Sequence, residues 1–170
     1  MTLVTKDFST GYFDKEIIKS ISLVLESSEW LGIIGANGSG KSTFLKGISR
    51  ILNVYSGSAS LNGFDIHESS SKEIAKEIAV LPQQQKSNLP LTVYELVCLG
   101  RSPHKKWWEL DLDEDDYSKV DYSLELTDMT ALKNEPMDTL SGGQRQRAFL
   151  SLALAQDAKT LLLDEPTTFL

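Results

Sequence analysis

The chain has 170 residues, 41% of them hydrophobic and 24% charged, which suits one globular domain with a real core. Its formal net charge of −7 argues against a general affinity for nucleic-acid backbones. No apolar run approaches a membrane span, and Met1-Thr2-Leu3-Val4-Thr5-Lys6-Asp7 lacks the basic-then-apolar order of a signal peptide. The single cysteine, Cys98, cannot form an internal disulfide, and its neighbours Leu96, Val97 and Leu99 predict a buried, unreactive thiol. These features together predict a cytosolic location.

In chain order, residues 2–8 and 17–25 read as strands with Gly11 in the turn between them. The apolar run Trp30-Leu31-Gly32-Ile33-Ile34 reads as a strand over 30–35. The glycine-rich stretch Gly35-Ala36-Asn37-Gly38-Ser39-Gly40-Lys41-Ser42 follows, and a helix is expected over 42–52. Ser56-Gly57-Ser58 reads as a turn, residues 59–61 as a short strand and Asn62-Gly63 as a second turn. Ser71–Glu77 reads as a helix, Ile78–Pro82 as a strand, and Leu91–Leu99 as a helix with Thr92 near its start. The acidic run Asp111–Asp116 reads as a helix N-terminus rather than a metal site, with Tyr117, Val120, Leu124 and Leu126 continuing an apolar face. Ser141 reads as the N-cap of a helix running to about Gln156, and Lys159–Leu163 as a buried strand.

Strand, glycine loop and helix in that order, with the full GxxxxGK[ST] pattern, form a cradle for a nucleoside triphosphate. Glycines let consecutive backbone N–H groups turn toward phosphate oxygens, and the following helix adds its positive end. In that arrangement Lys41 reaches the β- and γ-phosphates and the Ser42 hydroxyl ligates Mg²⁺. This motif by itself leaves kinases, GTPases and many ATPases open.

One hundred residues after Lys41 comes Leu140-Ser141-Gly142-Gly143-Gln144, which resembles the LSGGQ signature of ABC-transporter ATP-binding subunits. A serine hydroxyl, two glycines and a helix start converge there as an anion site. A plain capped helix start is the simpler reading of the same residues. Leu161-Leu162-Leu163-Asp164-Glu165-Pro166 resembles the Walker B strand. Asp164 would hold Mg²⁺ through water, and Glu165 would orient or deprotonate the attacking water. The resemblance also implies that Gln83, beside Gln84 and Gln85, is the Q-loop glutamine that senses Mg²⁺ and contacts a membrane subunit. It implies that Tyr12 stacks on adenine, and that Gly35, Asn37, Gly38, Ser39, Gly40, Lys41, Ser42 and Thr43 hold the phosphates with Ser141, Gly142, Gly143 and Gln144. His67 and His104 match no family position and read as surface or second-layer residues. Trp107-Trp108 beside Lys105-Lys106 reads as a packed aromatic pair with a basic flank.

The resemblance covers the whole chain. The implied fold is α/β, a P-loop NTPase core with an N-terminal antiparallel β subdomain and a helical subdomain at about 84–140. It forms one ATP-binding domain over 1–170 whose C-terminal strands are absent. Residues 93–104 and Pro166-Thr167-Thr168-Phe169-Leu170 are similar to importers of iron–siderophores, haem and cobalamin. The implied activity is Mg²⁺-dependent ATP hydrolysis coupled to import. The implied partners are a second, head-to-tail copy, membrane permease subunits at the cytoplasmic face and, indirectly, an extracytoplasmic substrate-binding protein. Two departures stand out. Ser27-Ser28-Glu29 occupies a place where a glycine turn is frequent, and the family's D-loop aspartate and switch histidine would lie beyond Leu170. Without the strand carrying that histidine, two strands of a buried parallel sheet lose a common neighbour, so the chain as given is expected to fold poorly or lack turnover. A DNA-repair or translation ABC ATPase and a catalytically incomplete nucleotide-binding module remain alternatives. Ser141–Gln144 speaks against a P-loop kinase.

Overall fold

A computed structural model describes residues 2–83, 90–106, 108–109 and 111–165. Expectations that fall on Gln84, Gln85, Trp107 and residues 166–170 lie outside the described residues. The chain divides into two compact units, residues 1–74 and 75–170.

The first unit is built on an antiparallel sheet of order β2-β1-β3-β4. β1 (Leu3–Tyr12) pairs with β2 (Lys15–Leu25) across a tight turn at Phe13 and Asp14, so Gly11 lies inside the strand rather than in the turn. β3 (Val54–Leu61) runs unbroken through Ser56-Gly57-Ser58, where a turn was expected. Gly57 adopts φ +74° where the β1–β3 register shifts, opposite Asp7 at φ +45°. The irregularity that reads as a turn is therefore absorbed as a bulge. Asn62 (φ +52°) and Gly63 (φ +85°) form the expected turn, linking β3 to β4 (Phe64–Asp65). Both central residues need positive φ there, which asparagine and glycine tolerate.

Helix α1 (Lys41–Ile48) covers one face of this sheet and is shorter than its sequence pattern implies. Phe8 is fully buried beneath it, with the Phe44 ring edge-on at 6.1 Å. Gly47 brings the helix close enough that a Cβ there would stand 2.6 Å from the Thr10 methyl carbon. Thr10 is held in turn by its hydroxyl, which donates to the Asn53 carbonyl at 2.8 Å. His67 lies in this second layer, its Nε2 donating to the Gly47 carbonyl at 3.0 Å; burial lowers its pKa.

Residues 30–35 do not form the expected strand. Trp30 and Ile34 are almost wholly exposed. Extended backbone becomes a strand only when a neighbour takes up its amides and carbonyls, and no strand among the described residues does so.

In the second unit, α2 (Ser71–Glu77) leads into β5 (Ile78–Leu81), which pairs in parallel with β6 (Thr160–Leu163) from Ile78↔Thr160 to Leu81↔Leu163. Both strands are short and apolar, as buried parallel strands require. Between them lie α3 (Val93–Cys98), α4 (Glu114–Leu126) and α5 (Gly142–Ala155). Their shared core includes Val93, Val97, Val120, Leu124, Met129 and Met137. All three helices open with a capping box: Thr92 with Glu95, Asp113 with Asp116, and Ser141 with Gln144. The acidic run thus serves as a helix start, as its charge pattern implies. Cys98 is half-buried, and burial raises its thiol pKa. Trp108 is exposed rather than packed, with the Lys106 ammonium 5.5 Å above its ring.

A buried ionic cluster fastens the C-terminal end of α5. Arg101 is 3% exposed; its Nε donates to Asp116 at 2.8 Å and its Nη1 to the Ala155 carbonyl at 2.7 Å. Lys105 also pairs with Asp116, and His104 Nε2 donates to the Gln156 carbonyl at 2.8 Å. The Arg101 guanidinium on the Ala155 carbonyl satisfies an unpaired acceptor and opposes the negative end of the helix.

Candidate nucleotide site

The glycine loop precedes a helix that has no side-chain cap. Gly40 occupies the N-cap of α1 at φ +98°, a left-handed conformation that glycine adopts without steric cost; its carbonyl accepts the Phe44 amide at 2.8 Å, but it has no side-chain oxygen to cap the first amides. α3, α4 and α5 close their own starts with capping boxes; α1 does not. A helix start left this way presents N–H groups and partial positive charge to an anion. Within the loop, the Ser39 amide donates to the Ala36 carbonyl at 3.1 Å, closing a tight turn. The Lys41 ammonium folds back and donates to the Gly35 and Ala36 carbonyls at 2.8 and 3.1 Å. A phosphate oxygen is the stronger acceptor for that ammonium, because the hydrogen bond is then between opposite charges.

The same unit holds Tyr12, a partly exposed residue, at the end of β1. The Lys46 ammonium donates to its hydroxyl at 3.3 Å and lies 5.8 Å from its ring centroid. Gly35, Asn37, Gly38, Ser39, Gly40, Lys41, Ser42, Thr43 and Tyr12 all belong to this unit.

The remaining residues proposed from sequence lie in the second unit. Asp164 directly follows β6, is 7% exposed, and donates its amide to the Leu81 carbonyl at 3.0 Å. Glu165 comes next, at φ +50°. Gln83 leaves the end of β5, and its Nε2 donates to the Glu165 carboxylate at 2.5 Å. Two parallel strands therefore deliver Gln83, Asp164 and Glu165 together at their carboxyl ends, the place where open α/β sheets bind ligands. Ser141 heads α5: its hydroxyl accepts from the Gln144 amide at 3.3 Å, while Gln144 Oε1 accepts from the Ser141 amide at 2.9 Å. That box involves Ser141 and Gln144, while Gly142 and Gly143 form the first turn between them. Gln83 and Asp164, in this unit, offer an amide oxygen and a carboxylate, hard oxygens of the kind that suits Mg²⁺.

A family model described as ABC transporter matches residues 18–168. The chain belongs to the ABC transporter family. Among curated relatives it is 43% identical over 169 residues to the iron(3+)-hydroxamate import ATP-binding protein FhuC of Bacillus subtilis, covering 99% of this chain and 62% of the relative. It is 42% identical over 171 residues to the achromobactin transport ATP-binding protein CbrD of Dickeya dadantii, covering 100% and 63%. It is 38% identical over 165 residues to the ferric enterobactin transport ATP-binding protein FepC of Escherichia coli, covering 97% and 60%. The chain spans about three fifths of the length of these relatives. Among solved structures it resembles cbiO1 of Clostridium perfringens, part of the ABC transporter complex cbiONQ, with TM-score 0.81 and 29% identity over 99% of this chain and 66% of that one. A nucleotide-free ATP-binding cassette from an ABC transporter matches in fold, with TM-score 0.82 and 24% identity over 100% and 71%.

Within this ABC chain, sequence reasoning missed Lys46, Arg101 and Asp116. Arg101 and Asp116 are ordinary surface types by composition, and nothing in local periodicity marks them as buried partners. Lys46 had a usable signal, because it lies on the same helix as Lys41.

Proposed function

We propose that the chain is the ATP-binding and ATP-hydrolysing part of an ABC importer, acting on iron–siderophore, haem or cobalamin-type cargo through a membrane permease. Support for the cargo class comes from relatives whose names specify siderophore or hydroxamate import. The single observation that carries the ATP reading is the uncapped start of α1 behind a glycine loop whose lysine reaches its own carbonyls.

In this mechanism the loop amides and the start of α1 take the β- and γ-phosphates. Lys41 exchanges its carbonyl partners for phosphate oxygens, and Tyr12 stacks on the base. Ser42, Gln83 and Asp164 hold Mg²⁺, which when bound neutralises charge on the phosphate oxygens. A water oxygen attacks the γ-phosphorus, the bond to the β–γ bridging oxygen breaks, and Glu165 takes the proton. The amide of Gln83, bonded to the Glu165 carboxylate, fixes the direction in which that carboxylate points.

A second copy, arranged head to tail, brings its Ser141, Gly142, Gly143 and Gln144 to the γ-phosphate. ATP then bridges the two copies and ADP does not, so hydrolysis opens the pair. We place the chain at the cytoplasmic face of the membrane as a peripheral subunit; no helix among the described residues is long and apolar enough to cross a bilayer. A substrate-binding protein outside the cytoplasm would select the cargo.

The test is Mg²⁺-dependent ATP turnover by the full-length protein and by its Glu165→Gln variant. Loss of a general base lowers turnover by about 10²- to 10⁴-fold, with ATP binding retained. Undiminished turnover in the variant removes Glu165 from its role. ATP binding by the parent chain without any turnover would favour the nucleotide-binding module over the enzyme.

A further inference from the structure

We propose that Lys46 is a positioning residue for the nucleobase: it holds the Tyr12 ring as a preset stacking platform, mounted on the same helix whose first turn grips the phosphates. The inference rests on the reading of Tyr12 as the adenine-stacking residue.

Tyr12 ends β1 at the tip of the β1–β2 hairpin, where a lone aromatic ring would sample several rotamers. Two contacts restrain that tip. The Tyr55 hydroxyl of β3 donates to the carbonyl of Phe13, fixing the turn backbone. The Lys46 ammonium donates to the Tyr12 hydroxyl at 3.3 Å, a charged hydrogen bond that fixes the outer edge of the ring. The residue nevertheless remains 38% exposed, so it is open to a ligand. The ammonium holds the ring by its hydroxyl edge and so leaves the ring faces clear for a base.

Helix α1 supplies the ruler. Lys41 and Lys46 are five residues apart on one rigid element, about 7.5 Å along its axis. The phosphate grip and the base platform therefore move as one body. A flexible tyrosine would lose side-chain entropy on stacking; a ring already held loses less. A simpler role for Lys46 is a cation in the last turn of α1, opposing the helix dipole. The two roles differ in what they predict for ligands that lack a base.

The experiment measures affinity of the full chain for Mg-ATP and for Mg-tripolyphosphate, which has the charge but no base. Lys46→Met keeps the apolar stem and removes the ammonium. The expected result is about a two- to tenfold loss in Mg-ATP affinity, no change for tripolyphosphate, and recovery with Lys46→Arg. Combined with Tyr12→Ala, the effect of Lys46→Met vanishes. Equal losses for both ligands, or no loss for ATP, overturn the proposal. If Tyr12→Ala weakens ATP but Lys46→Met does not, the base platform stands and only the role of Lys46 falls. If Tyr12→Ala itself leaves ATP affinity unchanged, the platform reading fails and takes Lys46 with it.

Discussion

Replacing Asp116 with asparagine probes what anchors α5, the helix that carries the signature at its other end. Asp116 is buried between Arg101 and Lys105 and accepts the Asp113 amide at 3.2 Å as part of the α4 capping box. Burial pushes its pKa up, but hydrogen bonds from Lys105, Arg101 and the Asp113 backbone outweigh that and hold it at about 2, against the ordinary 3.8. The depression means the folded chain refuses a proton that the unfolded chain accepts. Stability from this group is therefore complete above about pH 4 to 5 and is lost as pH falls toward 2, an amount of about 2 kcal/mol. The asparagine leaves the Arg101 charge buried without its counter-ion, which costs about 3–5 kcal/mol at neutral pH. Urea unfolding of both proteins, followed by far-ultraviolet circular dichroism from neutral pH to about pH 2, reads both effects. Glu95 and Glu109 also have lowered pKa values and cancel in the difference between the two proteins, while Asp113, which shares Lys105 with Asp116, titrates as part of the same cluster. The stability gap should be widest at neutral pH and narrow with acidification. Equal stability at neutral pH, or parallel acid profiles, would refute the reasoning.

Lys41→Ala removes a charged hydrogen-bond donor, worth about 1.5–3 kcal/mol. Mg-ATP affinity by titration calorimetry should fall by about 10- to 100-fold while the urea midpoint changes little, since the Lys41 ammonium bonds carbonyls of its own exposed loop. Ser141→Ala removes the cap hydroxyl from α5 and should cost about 1 kcal/mol of stability. In the proposed head-to-tail pair it should also lower turnover without weakening ATP binding to a single copy.

The helix starts were legible in the sequence because their determinants are local. Thr92–Glu95, Asp113–Asp116 and Ser141–Gln144 each satisfy their amides within three residues. The Asn62-Gly63 turn is legible for the same reason, and so is the glycine loop, whose conformation is set by its own residues. What failed depends on distant partners. The segment 30–35 has the composition of a strand, yet strand formation requires a neighbour that no local pattern specifies. Gly57 reads as a turn until the bulge at Asp7 across the ladder explains it. In the site, the motifs named Gln83 and Glu165 separately, but their hydrogen bond joins residues 82 apart. Lys46 and Tyr12 are 34 apart, and the Arg101–Asp116 pair bridges two helical segments 15 apart. Motif chemistry survives in sequence because the ligand dictates it; side-chain pairing across the fold does not.

The most direct measurement is a structure of the full chain with Mg²⁺ and a nonhydrolysable ATP analogue. The account requires the triphosphate on the backbone amides between Gly38 and Thr43, with the Lys41 ammonium moved from the Gly35 and Ala36 carbonyls onto phosphate oxygens. Density for the phosphates elsewhere, or Lys41 still bonded to its own loop with ligand present, would contradict it.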